Sequence, residues 1–158
     1  MLIWQSRCFL SGALVAVRGW MMHEILLIED SDSDAQLVER ALRQARVTNP
    51  IVRVVDGSSA MEYLVRIERA FETGTPPAPS VLLLDLKLPG ISGFEILADI
   101  KNRAAFSKTL KIVFSDLQST EEIKRGYAAG AQSFLTKPVQ AEDLRELIIT
   151  FPDYWLLE

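Results

Sequence analysis

The residues of this sequence best suited to chemistry follow short apolar runs. They comprise three acids, a hydroxyl and a lysine: Glu29, Asp30, Asp85, Ser115 and Lys137. Crowded carboxylates repel one another unless a cation joins them, and Mg²⁺ binds carboxylate oxygens, water and phosphate. A lysine and a hydroxyl can both bind phosphoryl oxygens, and a carboxylate can attack phosphorus to form an acyl phosphate. Together these residue types indicate phosphate chemistry.

The five residues would converge only if the apolar runs form one parallel sheet. Short runs rich in aliphatic residues predict strands at 25–28, 51–55, 81–84, 110–114 and 133–136. The segments between them carry apolar residues at helical spacing, and this alternation predicts a parallel sheet with helices on both faces. Ligands of such sheets bind beyond the carboxyl ends of the strands. Asp85 follows the run expected to be central, so we favour it as the nucleophile.

Polar residues and glycine predict where several helices begin and end. Asp32 to Asp34 can cap the first helix, 56–59 can cap the second, and 119–122 the fourth. Gly130 is expected to end the fourth helix. The predicted apolar faces include Leu37 on the first helix and Phe71 on the second.

Composition narrows the class of protein. A length of 158 residues with 49% hydrophobic residues suits one domain. The net charge of −4 disfavours a nucleic-acid partner. The single cysteine, Cys8, cannot form an internal disulfide, and one histidine, His23, is too few for a Cys/His zinc site. We therefore expect a cytoplasmic protein.

Residues 1–22 form an apolar N-terminal extension ahead of the first predicted strand. Its apolar run from Cys8 to Val17 is well short of the roughly 20 residues that a membrane-spanning helix needs. No convincing signal-peptide cleavage site follows it. We expect no membrane anchor, and we favour a natural start at Met21 or Met22, with the upstream stretch dispensable.

Other phosphate-binding classes fit the sequence less well. A flavodoxin-like cofactor binder needs a phosphate loop after strand one, where residues 29–32 would instead repel phosphate. The glycine and lysine motif of a P-loop is absent. An aspartyl-nucleophile hydrolase would want an acid two residues after Asp85, where Lys87 stands. An interaction module that works without phosphate remains the alternative.

The chain from 23 to 150 resembles a response-regulator receiver domain, the phosphoacceptor module of two-component signalling. The resemblance rests on the Glu29-Asp30 pair, on residues 82–93 with Asp85 and Pro89-Gly90, on Ser115, and on Gly130-Ala131 before Lys137-Pro138. It implies a flavodoxin-like (βα)5 fold, a doubly wound five-stranded parallel sheet with strand order 2-1-3-4-5.

The resemblance also implies a role for each site residue. Asp85 would accept a phosphoryl group from a histidine kinase. Mg²⁺ would be held by three side chains and one backbone carbonyl, those of Glu29, Asp30, Asp85 and Lys87 respectively. Ser115 and Lys137 would bind the phosphoryl oxygens, and Phe134 would be the aromatic residue that moves with Ser115 in the switch. The Lys137-Pro138 peptide bond is expected to be cis. Such a protein is a phosphoacceptor and not a conventional turnover enzyme.

Within the family, three features are most similar to small stand-alone receivers paired with phytochrome-type kinases. These features are the 68–80 insertion, the Glu-Asp pair, and an aromatic C-terminal tail at 151–158. Asp116 departs from the family pattern by adding a negative charge beside the phosphoryl site, and we hypothesise that it slows phosphorylation or changes the preferred donor.

The resemblance leaves little of the chain for an effector domain, so the signal is expected to pass through a protein-interaction surface to a downstream protein target. The apolar tail either packs back on the last helix or contributes to self-association. A homodimer is therefore a further expectation.

Overall fold

The computed structural model describes residues 23–74, 78–116 and 119–158. Strands and helices alternate through these residues, and two short 3₁₀ turns follow α3 and α5. The strands are β1 (Ile25–Ile28), β2 (Ile51–Val54), β3 (Val81–Asp85), β4 (Leu110–Ser115) and β5 (Ser133–Thr136). The helices are α1 (Asp32–Gln44), α2 (Gly57–Glu72), α3 (Gly93–Lys101), α4 (Thr120–Ala129) and α5 (Ala141–Thr150).

The five strands form one parallel sheet in the order β2-β1-β3-β4-β5. This confirms the predicted doubly wound fold and its strand order. In register, Ile28 lies beside Leu84 and Ser115 lies beside Thr136, so the carboxyl ends of the strands meet at one edge. β2 ends at Val54, one residue before the predicted end, while β3 and β4 each extend one residue further to include Asp85 and Ser115.

Two hydrophobic cores lie on opposite faces of the sheet. Alternate residues of β1 serve the two cores, with Leu27 on one face and Leu26 on the other. The first core also contains residues of α1, α5 and the C-terminal tail, and the second contains residues of α2 and α3. The continuous aliphatic runs of β1 and of residues 81–84 in β3 fit strands that are buried on both faces of the sheet.

Side-chain caps begin several of the helices. Ser119 and Glu122 form a reciprocal capping box at the start of α4, as predicted, and Gly130 ends this helix with a left-handed φ of 112°. Asp56 caps α2, also as predicted. The predicted cap of α1 is wrong by one residue: Ser31 accepts a hydrogen bond from the backbone N–H of Asp34, and Asp32 is already helical.

Two residues predicted to lie on apolar helix faces are exposed. Leu37 of α1 and Phe71 of α2 are 42% and 43% exposed. The buried stripe of α1 passes instead through Val38, Ala41 and Leu42. Phe71 lies in the last turn of α2, beyond the buried residues of this helix, which end at Leu64.

The C-terminal tail packs against the connection between α1 and β2. Trp155 is buried in the same core as α1 and α5. The Asn49 side chain donates to the carbonyl of Tyr154 and accepts from the N–H of Leu156, and Val47 pairs with Leu157 in an isolated antiparallel bridge. The segment 151–158 is therefore part of the domain's packing and not a separate appendage.

Several predictions concern residues outside the described part of the chain. The extension 1–22, with Cys8, and part of the proline-containing loop within 68–80 belong to this group. Among the helices of the described residues, none combines the length and apolar character needed to cross a membrane.

Candidate functional site

The predicted site residues lie together at the carboxyl edge of the sheet. Glu29 directly follows β1, Asp85 ends β3, Ser115 ends β4 and Lys137 directly follows β5. The backbone N–H of Lys137 donates to the Ser115 carbonyl at 2.9 Å, which ties the β5 end to β4. Parallel strand geometry thus collects residues that are far apart in the sequence.

The ammonium group of Lys137 is at the centre of this site. Its Nζ lies 2.8 Å from Glu29 Oε2, 2.9 Å from Asp34 Oδ2 and 3.1 Å from Asp85 Oδ2. The Lys137 side chain is only 8% exposed. Burial disfavours its charge, but the interactions with the three carboxylates outweigh burial and raise its pKa above the ordinary value. Lys137 is therefore a fixed positive charge beside Asp85.

Glu29 and Asp85 are the buried acids of the site. The Glu29 side chain is fully buried and accepts a hydrogen bond from the Ser31 N–H at 2.8 Å. Burial raises the pKa of Glu29 above its ordinary value, the contact with Lys137 opposes this shift, and the charge of Asp85 reinforces it. Asp85 is 4% exposed, and its Oδ1 accepts from the backbone N–H of Lys87 at 3.0 Å.

Glu29, Asp30 and Asp85 form a group that could hold a metal ion. Each offers a carboxylate oxygen, and these oxygens lie within 4.8 Å of one another. Asp30 is exposed, so solvent reaches the group from its side. Carboxylate oxygens with access to water are the ligands that Mg²⁺ prefers, and this donor set fits a divalent cation. The Lys87 carbonyl stays a predicted ligand.

Ser115 is buried beside this acidic group. Ser115 is only 1% exposed, and its Oγ has no hydrogen-bond partner among the described residues. A buried hydroxyl without a partner is unfavourable and available to a ligand. The neighbouring Asp116 is exposed at the rim.

Phe134 lies on β5 between the sheet and α4. Its ring meets the Tyr127 ring edge to face, with centroids 4.9 Å apart. A Cβ atom on Gly126 would lie 2.2 Å from Cζ of Phe134, so the absence of a side chain at Gly126 makes this ring position possible.

The predicted cis peptide bond between Lys137 and Pro138 is confirmed.

Two residues of the site were missed by sequence reasoning. Asp34 contacts Lys137, although it was considered only as a helix cap. Arg53 donates to the backbone carbonyls of Glu29 and Asp30 at 3.1 and 3.3 Å and to Asp32 Oδ1 at 2.7 Å. The sequence feature that could have identified Arg53 is its position as a charged residue inside an otherwise apolar strand.

Comparison with known proteins places the chain in a family. The family model for the response regulator receiver domain matches residues 25–149. "Probable methanogenesis regulatory protein FilR2" of Methanothrix harundinacea is 34% identical over 84% of this chain and 83% of its own length. Response regulator Rcp1 of Synechocystis is 30% identical over 84% of this chain and 88% of its own length.

Solved structures with similar folds include two phytochrome response regulators. The bacteriophytochrome response regulator AtBRR has a TM-score of 0.69 and 29% identity, with 85% of this chain and 96% of that chain covered. The phosphorylated cyanobacterial phytochrome response regulator RcpA has a TM-score of 0.64 and 29% identity, with 84% and 92% covered. Rcp1 itself is known in a Mn²⁺-bound form, with a TM-score of 0.64, 29% identity, and 81% and 92% covered. The sequence match, the sheet order and the acidic site agree, and the chain belongs to the response regulator receiver family.

Proposed function

We propose that this protein is a stand-alone receiver that takes a phosphoryl group from a histidine kinase onto Asp85. The observation that carries the proposal is the position of the Asp85 carboxylate, which lies 3.1 Å from the Lys137 ammonium within the acidic group. The phosphorylated RcpA structure supports a phosphoacceptor role. The coverage of FilR2 and Rcp1 over 83% and 88% of their lengths supports a stand-alone receiver.

In the proposed transfer, a carboxylate oxygen of Asp85 attacks the phosphorus of a phosphohistidine. The bond between phosphorus and the kinase imidazole nitrogen breaks, a bond between phosphorus and the Asp85 oxygen forms, and the imidazole leaves with the electron pair. Water later cleaves the acyl phosphate to give inorganic phosphate and the Asp85 carboxylate. This cycle makes the protein a phosphoacceptor and not a conventional turnover enzyme.

Lys137 and Ser115 supply the groups that hold the phosphoryl oxygens. Lys137 offers an ammonium group, which its three carboxylate neighbours keep protonated. The Ser115 Oγ has no hydrogen-bond partner among the described residues, so it can donate to a phosphoryl oxygen without breaking an existing bond. Ser115 ends β4 and Lys137 directly follows β5, so neighbouring strands bring both residues to the edge of the sheet where Asp85 lies.

Glu29, Asp30 and Asp85 would hold Mg²⁺, with the Lys87 carbonyl as a further ligand. When bound, the cation would offset the negative charge that Asp85 and the phosphoryl group bring together. The Mn²⁺-bound Rcp1 structure supports a divalent cation in this protein. In this structure the positive charge of Lys137 already offsets the negative charges of Glu29 and Asp85 in part.

Phe134 and Ser115 would report the phosphorylated state to the surface. Movement of Ser115 toward the phosphoryl group would open space behind it, and the Phe134 ring would leave its contact with Tyr127 to fill this space. The proposed readout is a change in the α4, β5 and α5 surface, which a downstream protein would recognise.

We further propose a phytochrome-type histidine kinase as the phosphodonor, because Rcp1-like and bacteriophytochrome regulators are similar over most of the chain. A cytoplasmic location is part of this proposal, since a single cysteine suits a reducing compartment.

A homodimer stays a prediction. Trp155 is buried in the core and cannot contribute to a dimer contact, but Ile149 and Leu157 are exposed. Light scattering would measure the oligomeric state.

Phosphorylation by a small donor tests the proposed function. The protein would be incubated with acetyl phosphate and Mg²⁺, and intact mass would be measured against Asp85→Asn as the control. We expect one added phosphoryl group in the wild type and none in Asp85→Asn. The absence of any adduct in the wild type would favour the alternative, an interaction module that works without phosphate.

A further inference from the structure

Three carboxylates enclose the ammonium group of Lys137 in this structure. Their oxygens lie 2.8, 2.9 and 3.1 Å from Nζ and belong to Glu29, Asp34 and Asp85 respectively. The contact with Glu29 is an ion pair, whereas Asp34 and Asp85 accept two of the three N–H donors of the ammonium group in hydrogen bonds. A phosphoryl oxygen on Asp85 must therefore compete with these carboxylates for Lys137.

Asp34 is the partner that can leave most easily. The side chains of Glu29 and Asp85 are 0% and 4% exposed, so a charged carboxylate that left Lys137 there would lose its partner in a buried site. Asp34 is 34% exposed and belongs to the first turn of α1. Water can replace its contact with Lys137, and the amino end of the helix favours its charge there.

We propose that Asp34 is a positioning residue that competes with the phosphoryl group for Lys137. This inference rests on the proposed function. Asp34 holds the ammonium in the unphosphorylated state, and its release accompanies phosphorylation of Asp85. The contact therefore slows phosphoryl transfer and weakens the binding of phosphoryl-like ligands.

Replacement of Asp34 by asparagine tests this competition. Asp34→Asn keeps the size of the side chain and removes the charge that competes for Lys137. We expect phosphorylation by acetyl phosphate in Mg²⁺ to become about threefold to tenfold faster, the range for loss of one partly exposed charged contact. The affinity for beryllofluoride, a phosphoryl stand-in, should rise by a similar factor in a binding titration.

Asp32→Asn is the matched control, because it removes the same charge from the same helical turn. Asp32 is 83% exposed and pairs with Arg53, not with Lys137. General repulsion of the anionic donor would be reduced in both variants, but only Asp34→Asn releases Lys137. Asp34→Glu, which restores a carboxylate, should return the rate and the affinity toward the wild-type values. Asp34→Ser provides a second neutral variant if Asp34→Asn folds poorly by circular dichroism.

Equal effects of Asp34→Asn and Asp32→Asn would overturn the proposal, as would a slower Asp34→Asn protein or no recovery with Asp34→Glu. Its failure can be separated from failure of the proposed function. A wild type that is phosphorylated on Asp85, with Asp34 variants of unchanged rate, would overturn the role of Asp34 alone. A wild type that neither gains a phosphoryl group nor binds beryllofluoride would overturn both.

Discussion

Replacing Lys137 by methionine should destabilise the protein in a pH-dependent manner. Methionine preserves much of the length of the apolar stem but removes the ammonium group, which lies over the Phe114 ring, 5.2 Å from its centroid. Glu29, Asp34 and Asp85 would then lose their shared cation. The loss of one partner from a buried ion pair costs about 3–5 kcal/mol, and two of these three acids are almost fully buried. We expect the lower end, about 3 kcal/mol at pH 8, because Asp34 can turn to solvent.

Acid should reduce this loss. The pKa of Glu29 already lies above its ordinary value because of burial, and the ion pair with Lys137 opposes that shift. Removal of Lys137 would raise this pKa further, so the folded state would keep a proton that the unfolded state releases. The variant should therefore gain stability relative to the wild type as the pH falls from 8 toward 5.

Urea unfolding in EDTA at pH 8 and pH 5, followed by circular dichroism, would measure both effects. Lys111→Met is the matched control, since Lys111 is a partly buried lysine that donates to the carbonyls of Phe106 and Thr109. We expect little pH dependence in the cost of that substitution. A Lys137→Met protein as stable as the wild type at pH 8, or one equally destabilised at both pH values, would show that Lys137 does not stabilise the charged acids of the site.

Three further predictions concern Gly126, Trp155 and Asp116. Gly126→Ala would place a Cβ 2.2 Å from Cζ of Phe134, so the ring should move and the protein should lose about 1–3 kcal/mol. Ring chemical shifts and urea unfolding would detect this, and unchanged shifts would contradict it. Trp155→Ala should cost about 3–5 kcal/mol by urea unfolding, but truncation of the exposed Leu157 should cost much less, and equal costs would argue against tail packing. Asp116→Ala should accelerate phosphorylation by acetyl phosphate, and a rate no faster than that of the wild type would refute the hypothesis that Asp116 slows the reaction.

The convergence of the site could be predicted from the sequence because it depends on backbone topology. Runs of aliphatic residues identified the strands, and parallel pairing places their carboxyl ends together. Asp85, Ser115 and Lys137 stand at or directly after those ends, so their meeting required no knowledge of side-chain conformations. The order of the strands came from the family resemblance.

The contacts of Asp34 and Arg53 could not be predicted in the same way. Whether Asp34 faces Lys137 depends on the rotation of α1, and the helix begins after Ser31, not within Asp32 to Asp34. Arg53 lies on β2, which pairs with β1, so its side chain can reach the residues that directly follow β1. Such contacts depend on the packing of whole elements, as does the burial of Trp155 against α1 and α5.

Chemical trapping of the phosphorylated residue would show directly whether Asp85 accepts the phosphoryl group. After incubation with acetyl phosphate and Mg²⁺, borohydride would reduce an aspartyl phosphate to homoserine, and peptide mass spectrometry would locate the reduced residue. We expect homoserine at position 85 and at no other acid of the site. Reduction at another position, including Glu29 or Asp30, or no reduced residue in a protein shown to be folded, would contradict it.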